Sequence, residues 1–185
     1  VHASLWDAAT RHPFLEAVRD GTITDSAFDR WLVQDALFVA DLLTFQARLL
    51  ARAPRPAQPA IVGGCAALVD ELAWFDDQAA RRGLDLRQPA LPATLAYREL
   101  LHRLDTAPYP AAVTALWVIE RVYLLAWRFA SSDSSPLREF TDHWSTPEFA
   151  DYVDALTALA FPDEQSEIVG DVLAHEVAFW EMALE

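Results

Sequence analysis

Apolar residues recur along this chain at spacings of three and four, and the interruptions are prolines, glycines and short polar runs. That period is the helical one. Residues 3–19 carry it across Pro13, which predicts a first helix that is bent or in two parts. Asp20-Gly21 marks a turn, and Thr24 or Asp25 is placed to cap a long helix running to about Ala51. The stretch from Pro54 to Pro59 reads as a connector, followed by a helix over 60–82 with Gly83 where a left-handed C-terminal residue is wanted. Pro89 and Pro92 lead into a helix over 93–104, and Pro108 and Pro110 lead into one built on TALWVIERVYLLAW, Thr114 to Trp127. Ser131 to Ser135 is the most loop-like run and is expected to be mobile. A short helix near 137–144, one begun by Thr146-Pro147-Glu148 and a last one over about 163–183 complete the series. No period-two strand pattern competes, and no repeat of fixed period is present. The expected fold is all-α, a bundle of seven or eight helices in a single domain over 1–185.

Within Thr114 to Trp127, Leu116, Glu120, Tyr123 and Trp127 fall on one face about 60° wide at ~100° per residue. A carboxylate thus sits in the middle of an apolar stripe. The same arrangement, with spacings of four, three and four, recurs in three other long helices. It appears as Trp31, Asp35, Phe38, Leu42; as Ala67, Glu71, Trp74, Gln78; and as Val172, Glu176, Phe179, Ala183. Any one such acid is as readily satisfied by a neighbouring arginine or hydroxyl as used in chemistry. Their joint occurrence argues for chemistry, because 14 Lys and Arg face 28 Asp and Glu and few of the basic residues lie on these faces. The aromatic residues taken alone are mainly core, with seven Trp and ten Phe at helical spacing.

Composition narrows the classes. A chain of 185 residues with 53% hydrophobic content supports one domain with a sizeable core. The formal charge of −14, with no Lys/Arg cluster, argues against nucleic acid. The sequence has no stretch of 18 or more uncharged apolar residues and no charged-then-apolar leader, so neither a membrane nor secretion is expected. A single cysteine, Cys65, excludes an internal disulfide and suits a reducing, cytoplasmic setting.

Buried carboxylates commonly hold either metals or nitrogen-rich ligands. Dinuclear sites in helical bundles pair Glu with His three residues on, and here the i+3 places hold Phe38, Trp74, Tyr123 and Phe179. The one remaining metal-like spacing is Asp171 with His175. No metal and no cofactor is therefore expected. A flat, partly basic ring fits better, its N–H groups meeting the carboxylates and its faces meeting the aromatics. Phosphate is disfavoured, since no Gly-rich phosphate loop is present.

Motifs along nearly the whole length sharpen this: TRHPFLEAVRDGT, FDRWLVQDALFVADL, DELAWF, TALWVIERVY, HWSTPEFADYV and HEVAFWEMA. Together they resemble the TenA family of the haem-oxygenase-like fold, the thiaminase II or aminopyrimidine aminohydrolases. The resemblance implies that Asp35 and Glu176 hold the amino and ring-nitrogen edge of a 4-aminopyrimidine, with Tyr123, Phe38 and Trp144 lining the pocket. Glu71 and Phe179 join the expected binding residues, and Glu120, Glu176 and Asp35 are the expected catalytic ones.

The departures from the family matter as well. A nucleophilic cysteine stands four residues before Tyr123 in the better-known branch, and here that position is Ile119. Cys65 lies among Gly63, Gly64, Ala66 and Ala67, a setting for close packing. The chain is similar to the cysteine-less branch, which carries an acidic residue instead and acts on amino- or formylamino-pyrimidines from degraded thiamin. Ala36, where a tyrosine often follows the QD pair, implies a wider pocket or a different substrate. The expected activity is hydrolysis of a C–N bond on the pyrimidine's arm towards hydroxymethylpyrimidine, in thiamin salvage. A non-catalytic pyrimidine binder and a metal-dependent oxygenase of the same fold stay open as alternatives. Relatives are homo-oligomers, so a dimer or tetramer is expected.

Overall fold

The computed structural model describes residues 2–185, and the described residues form nine α-helices, one short 3-10 turn and no strand. The helices are α1 (Ala3–Thr10), α2 (Pro13–Asp20), α3 (Asp25–Arg52), α4 (Gln58–Arg82), α5 (Pro92–Leu104), α6 (Tyr109–Ala130), α7 (Arg138–His143), α8 (Pro147–Thr157) and α9 (Ser166–Leu184). The chain is all-α, and the count reaches nine because the first predicted element is divided. Arg11 ends α1 through its N–H to Asp7 O, and His12 Nδ1 then accepts the N–H of Phe14 at 3.2 Å, with Pro13 opening α2. Proline is tolerated there because the first N–H groups of a helix lack partners in any case.

Most boundaries follow from such local chemistry. Thr24 Oγ1 accepts from Ala27 N at 3.2 Å to cap α3, and Thr146 Oγ1 does the same for Phe149 N at the head of α8. Gly21 and Gly83 take left-handed conformations, with φ of 69° and 68°, after α2 and α4. The connector after α3 is shorter than expected. Residues 55–57 make a 3-10 turn and α4 starts at Gln58, with Pro59 accommodated in its first turn. The start of α9 is later than expected, because Gln165 N bonds to Phe161 O in a preceding turn. The serine run expected to be mobile is anchored at its end. Ser135 is buried, donates to Val18 O at 2.8 Å and accepts from Leu137 N at 3.2 Å.

The helix α6 lies at the centre, packed by α1, α2, α3, α8 and α9, while α4 runs along α3 and α5 bridges α3 and α9. It is long and apolar enough to cross a membrane, and most of that apolar window is buried inside the bundle. The run from Ala111 to Glu120 is buried without a break. Beneath it Trp31, Trp127, Trp144 and Trp180 form an aromatic centre, with Trp127 stacked on Trp144 at 4.6 Å and edge-on to Trp31 at 5.0 Å. Such pairs add about 0.5–1.5 kcal/mol each beyond area burial, which makes this centre a rigid floor for whatever lies above it.

Candidate active site

A cavity of about 790 Å³ opens between α4, α6 and α8, with Phe38 of α3 on one side and the end of α7 on another. That size is within the range of small-molecule sites. Glu71, Glu120, Asp70, Glu148 and Asp151 contribute carboxyls to its wall, and no Lys or Arg does. An anionic ligand would meet only repulsion there, whereas an amine or a protonated ring would be attracted.

The four expected carboxyls lie at two depths. Glu120 is on the wall, only 7% exposed, and its burial, with the charges of Glu71 and Glu176 added, pushes its pKa up to about 8. Glu71 is also on the wall, where Oε1 accepts from Trp144 Nε1 at 2.5 Å and Oε2 meets His143 Nε2 at 2.8 Å. Asp35 is fully buried behind Tyr123, whose hydroxyl donates to Oδ1, while Oδ2 has no hydrogen-bond partner. Burial holds Asp35 well above the usual carboxylate range, against the opposing bond from Tyr123. Glu176 is buried as well and accepts from Tyr97 Oη at 2.5 Å; burial raises it to about 8 despite that bond.

The expectation that all the site residues face one cavity is therefore corrected in part. Glu120, Glu71, Tyr123, Phe38 and Trp144 line it; Asp35, Glu176 and Phe179 are one layer behind. Phe38 covers the deep layer, its ring against Tyr97 at 4.5 Å and Phe179 at 5.7 Å. The wider pocket expected at Ala36 is not found, because Ala36 packs in the hydrophobic core and is not on the cavity wall. Ile119 does reach the wall and presents an aliphatic chain to the cavity.

Three residues of the site had not been anticipated: Tyr97, His143 and Tyr152. Gln46 Nε2 donates to Ile61 O and to Tyr152 Oη, both at 2.9 Å, which uses both of its N–H groups. The phenolic proton of Tyr152 is then free to point into the cavity that its ring lines. A signal for the tyrosines existed. With cations scarce, phenols are the remaining donors for buried carboxyls, and three of the four tyrosines converge here. Burial and the adjacent carboxyls raise Tyr97 and Tyr123 well above an ordinary phenol, which keeps them protonated as donors.

The metal-like pair does not assemble: His175 Nδ1 bonds to the backbone oxygen of Asp171 at 2.7 Å, and no group of three or more potential ligands occurs among the described residues. Cys65 is half-buried on α4, outside the cavity wall, with its thiol pushed up by burial.

The comparisons agree with this architecture. A probable bifunctional TENA-E protein from Glycine max is 34% identical over 205 aligned positions, covering 98% of this chain and 89% of the relative. A TenA homologue from Pyrococcus furiosus superposes with a TM-score of 0.90 at 28% identity, over 97% of this chain and 94% of its own. A putative TenA-like thiaminase from Sulfolobus solfataricus shares the fold at 16% identity, with a TM-score of 0.86 over 98% of this chain and 91% of its own. The model of the TENA/THI-4/PQQC family matches residues 2–185. On its sequence and its fold alike, the chain belongs to the TENA/THI-4/PQQC family.

Proposed function

We propose that this protein hydrolyses the C–N bond within the aminomethyl or formylaminomethyl arm of a 4-aminopyrimidine, releasing the hydroxymethylpyrimidine for thiamin salvage. The observation that carries this reading is the unpartnered Oδ2 of a fully buried Asp35, one layer behind an acid-lined aromatic cavity. A buried carboxyl oxygen without a partner costs about 1–3 kcal/mol, and the exocyclic amine of an aminopyrimidine is a donor of the right kind to complete it. Membership of the TENA/THI-4/PQQC family and the likeness to the soybean TENA-E protein support a thiamin-related hydrolase.

On this reading the ring enters past Phe38, its amino group on Asp35 and a ring nitrogen on Glu176, between the faces of Phe38 and Trp144. Hydrogen bonds at both nitrogens draw electrons from the ring and make the carbon of its arm electrophilic. Glu120, raised to about 8, is mostly neutral at pH 7 and holds a proton to give the departing nitrogen. With Ile119 in the thiol position, water supplies the oxygen directly.

The test compares Glu120→Gln and Glu120→Asp on aminomethyl and formylaminomethyl pyrimidines, with hydroxymethylpyrimidine affinity measured in parallel. Glu120→Gln should lose about 100-fold or more in kcat while binding the product hydroxymethylpyrimidine as before. Wild-type turnover by Glu120→Gln would remove Glu120 from the chemistry. Tight binding with no turnover by the native protein would favour a pyrimidine binder, a reading to which Ile119 gives some weight.

A further inference from the structure

We propose that His143, oriented by Glu71, is the general base that takes the proton from the attacking water, leaving Glu120 to act as the acid alone. The inference rests on the C–N hydrolysis above and assigns its missing proton acceptor. Glu120 has a single proton to give the leaving nitrogen, and a separate acceptor placed to take the proton of water lets each group work in one direction.

The geometry supplies one. Trp144 Nε1 can only donate, so Glu71 Oε1 is an acceptor, and as a carboxylate Glu71 accepts at Oε2 as well. The proton of the 2.8 Å contact therefore sits on His143 Nε2, and the lone pair is left on Nδ1. No other hydrogen bond involves that ring among the described residues. Trp74 lies flat against it, with centroids 3.9 Å apart and planes 6° from parallel, so the ring's plane and its Nε2 edge are both fixed. A side chain held by stacking and by a carboxylate is oriented in the way a catalytic base requires.

His143 and Glu120 line the same cavity. The charged and titratable groups that face it there are Asp70 and Glu71 from α4, Glu120 and Tyr123 from α6, and Glu148, Asp151 and Tyr152 from α8. None of them is a cation, and Asp70, Glu71, Glu148 and Asp151 are carboxyls, so an imidazolium formed during the reaction meets no like charge.

The step balances without a co-reactant. The O–H bond of water breaks and its proton goes to Nδ1. The oxygen bonds to the arm's CH2 carbon as the C–N bond breaks, and the electron pair leaves on nitrogen, which takes the proton of Glu120. For the amine the sum is R–CH2–NH2 + H2O → R–CH2–OH + NH3, and solvent returns the proton from His143 to Glu120.

The same contacts also tie the end of α7 to α4, so the test must separate a base from a clasp. His143→Gln keeps an N–H donor for Glu71 and cannot accept a proton. Its kcat on aminomethylpyrimidine should fall about 100-fold or more, with the acid limb of kcat/KM gone, hydroxymethylpyrimidine affinity and Tm unchanged, and part of the rate restored by added imidazole. Glu71→Gln should lose less in kcat, because Trp74 still holds the His143 ring by stacking. A wild-type kcat with an intact acid limb in His143→Gln would overturn the assignment. So would a loss of rate matched by losses of affinity and Tm and unaffected by imidazole, which is the signature of a clasp. If the native protein hydrolyses neither arm, the functional reading itself fails and takes this one with it.

Discussion

Two adjacent glycines in α4 show how finely the cavity wall is set. A Cβ on Gly64 would stand 2.1 Å from Gln46 Nε2 and 2.3 Å from Tyr152 Oη, whereas one on Gly63 would meet nothing within 4 Å. The closeness at Gly64 is what lets Gln46 reach across to Tyr152 and fix its hydroxyl. Gly64→Ala should therefore cost about 1–3 kcal/mol through overpacking, and Gly63→Ala should stabilise by about 0.5–1 kcal/mol through helix propensity. Urea denaturation of the two variants checks both, and equal effects would mean that Gly64 is not tightly enclosed. Glu120 carries a second residue-scale expectation. An acid that must be protonated loses function as pH rises through its pKa, so kcat/KM should decline above about pH 8. Glu120→Asp should keep a basic limb and Glu120→Gln should show none.

At the scale of elements, the sequence was informative wherever a signal is local. The caps at Thr24 and Thr146, the prolines at the heads of α2, α5 and α8, and Gly83 after α4 each act within four residues, and those boundaries fell close to their expected places. Where a boundary depends on a turn without a side-chain cap, as before α9, it shifted. The carboxyl faces were legible for the same reason, since spacings of four and three fix a face within one helix. Their depth was not, because it depends on which neighbour covers each face. Tyr97 of α5 closes over Glu176, Phe38 covers the deep layer, and Glu120 alone of the three most buried carboxyls keeps a side on the cavity. His143 stood in a six-residue helix too short to show a period. The head of α8 follows directly on Trp144 and should share its fate. Thr146→Ala removes the acceptor of Phe149 N and should cost about 1 kcal/mol, read by thermal denaturation. A fall in ligand affinity in the same variant would show that the cap also positions the cavity wall.

For the molecule as a whole, the buried acids make stability depend on pH in an uncommon direction. Carboxylates that are paired in a folded protein usually titrate below the unfolded chain, and stability is lost on acidification. Here Glu120 and Glu176 titrate at about 8, against an unfolded value of 4.5. Between those limits the folded state holds protons that the unfolded chain has released. The stabilisation from each group is present in full below about 4.5 and is lost as pH rises through about 8, at about 1.4 kcal/mol per pH unit per group. Tm of the ligand-free protein should therefore fall steadily from pH 5.5 to 7.5. Repulsion among the surface charges of a chain at −14 points the same way, so the slope alone does not identify its source. Glu120→Gln does, because it removes one titration and barely alters the total charge. If the buried carboxyls set the dependence, Glu120→Gln flattens the slope by roughly one proton's share and gains stability at pH 7.5 relative to the native chain. A slope unchanged by Glu120→Gln, Glu176→Gln and Asp35→Asn would place the effect on the surface instead. A saturating hydroxymethylpyrimidine should raise Tm most at the upper end of the range, where its N–H donors meet carboxyls that would otherwise ionise without a partner.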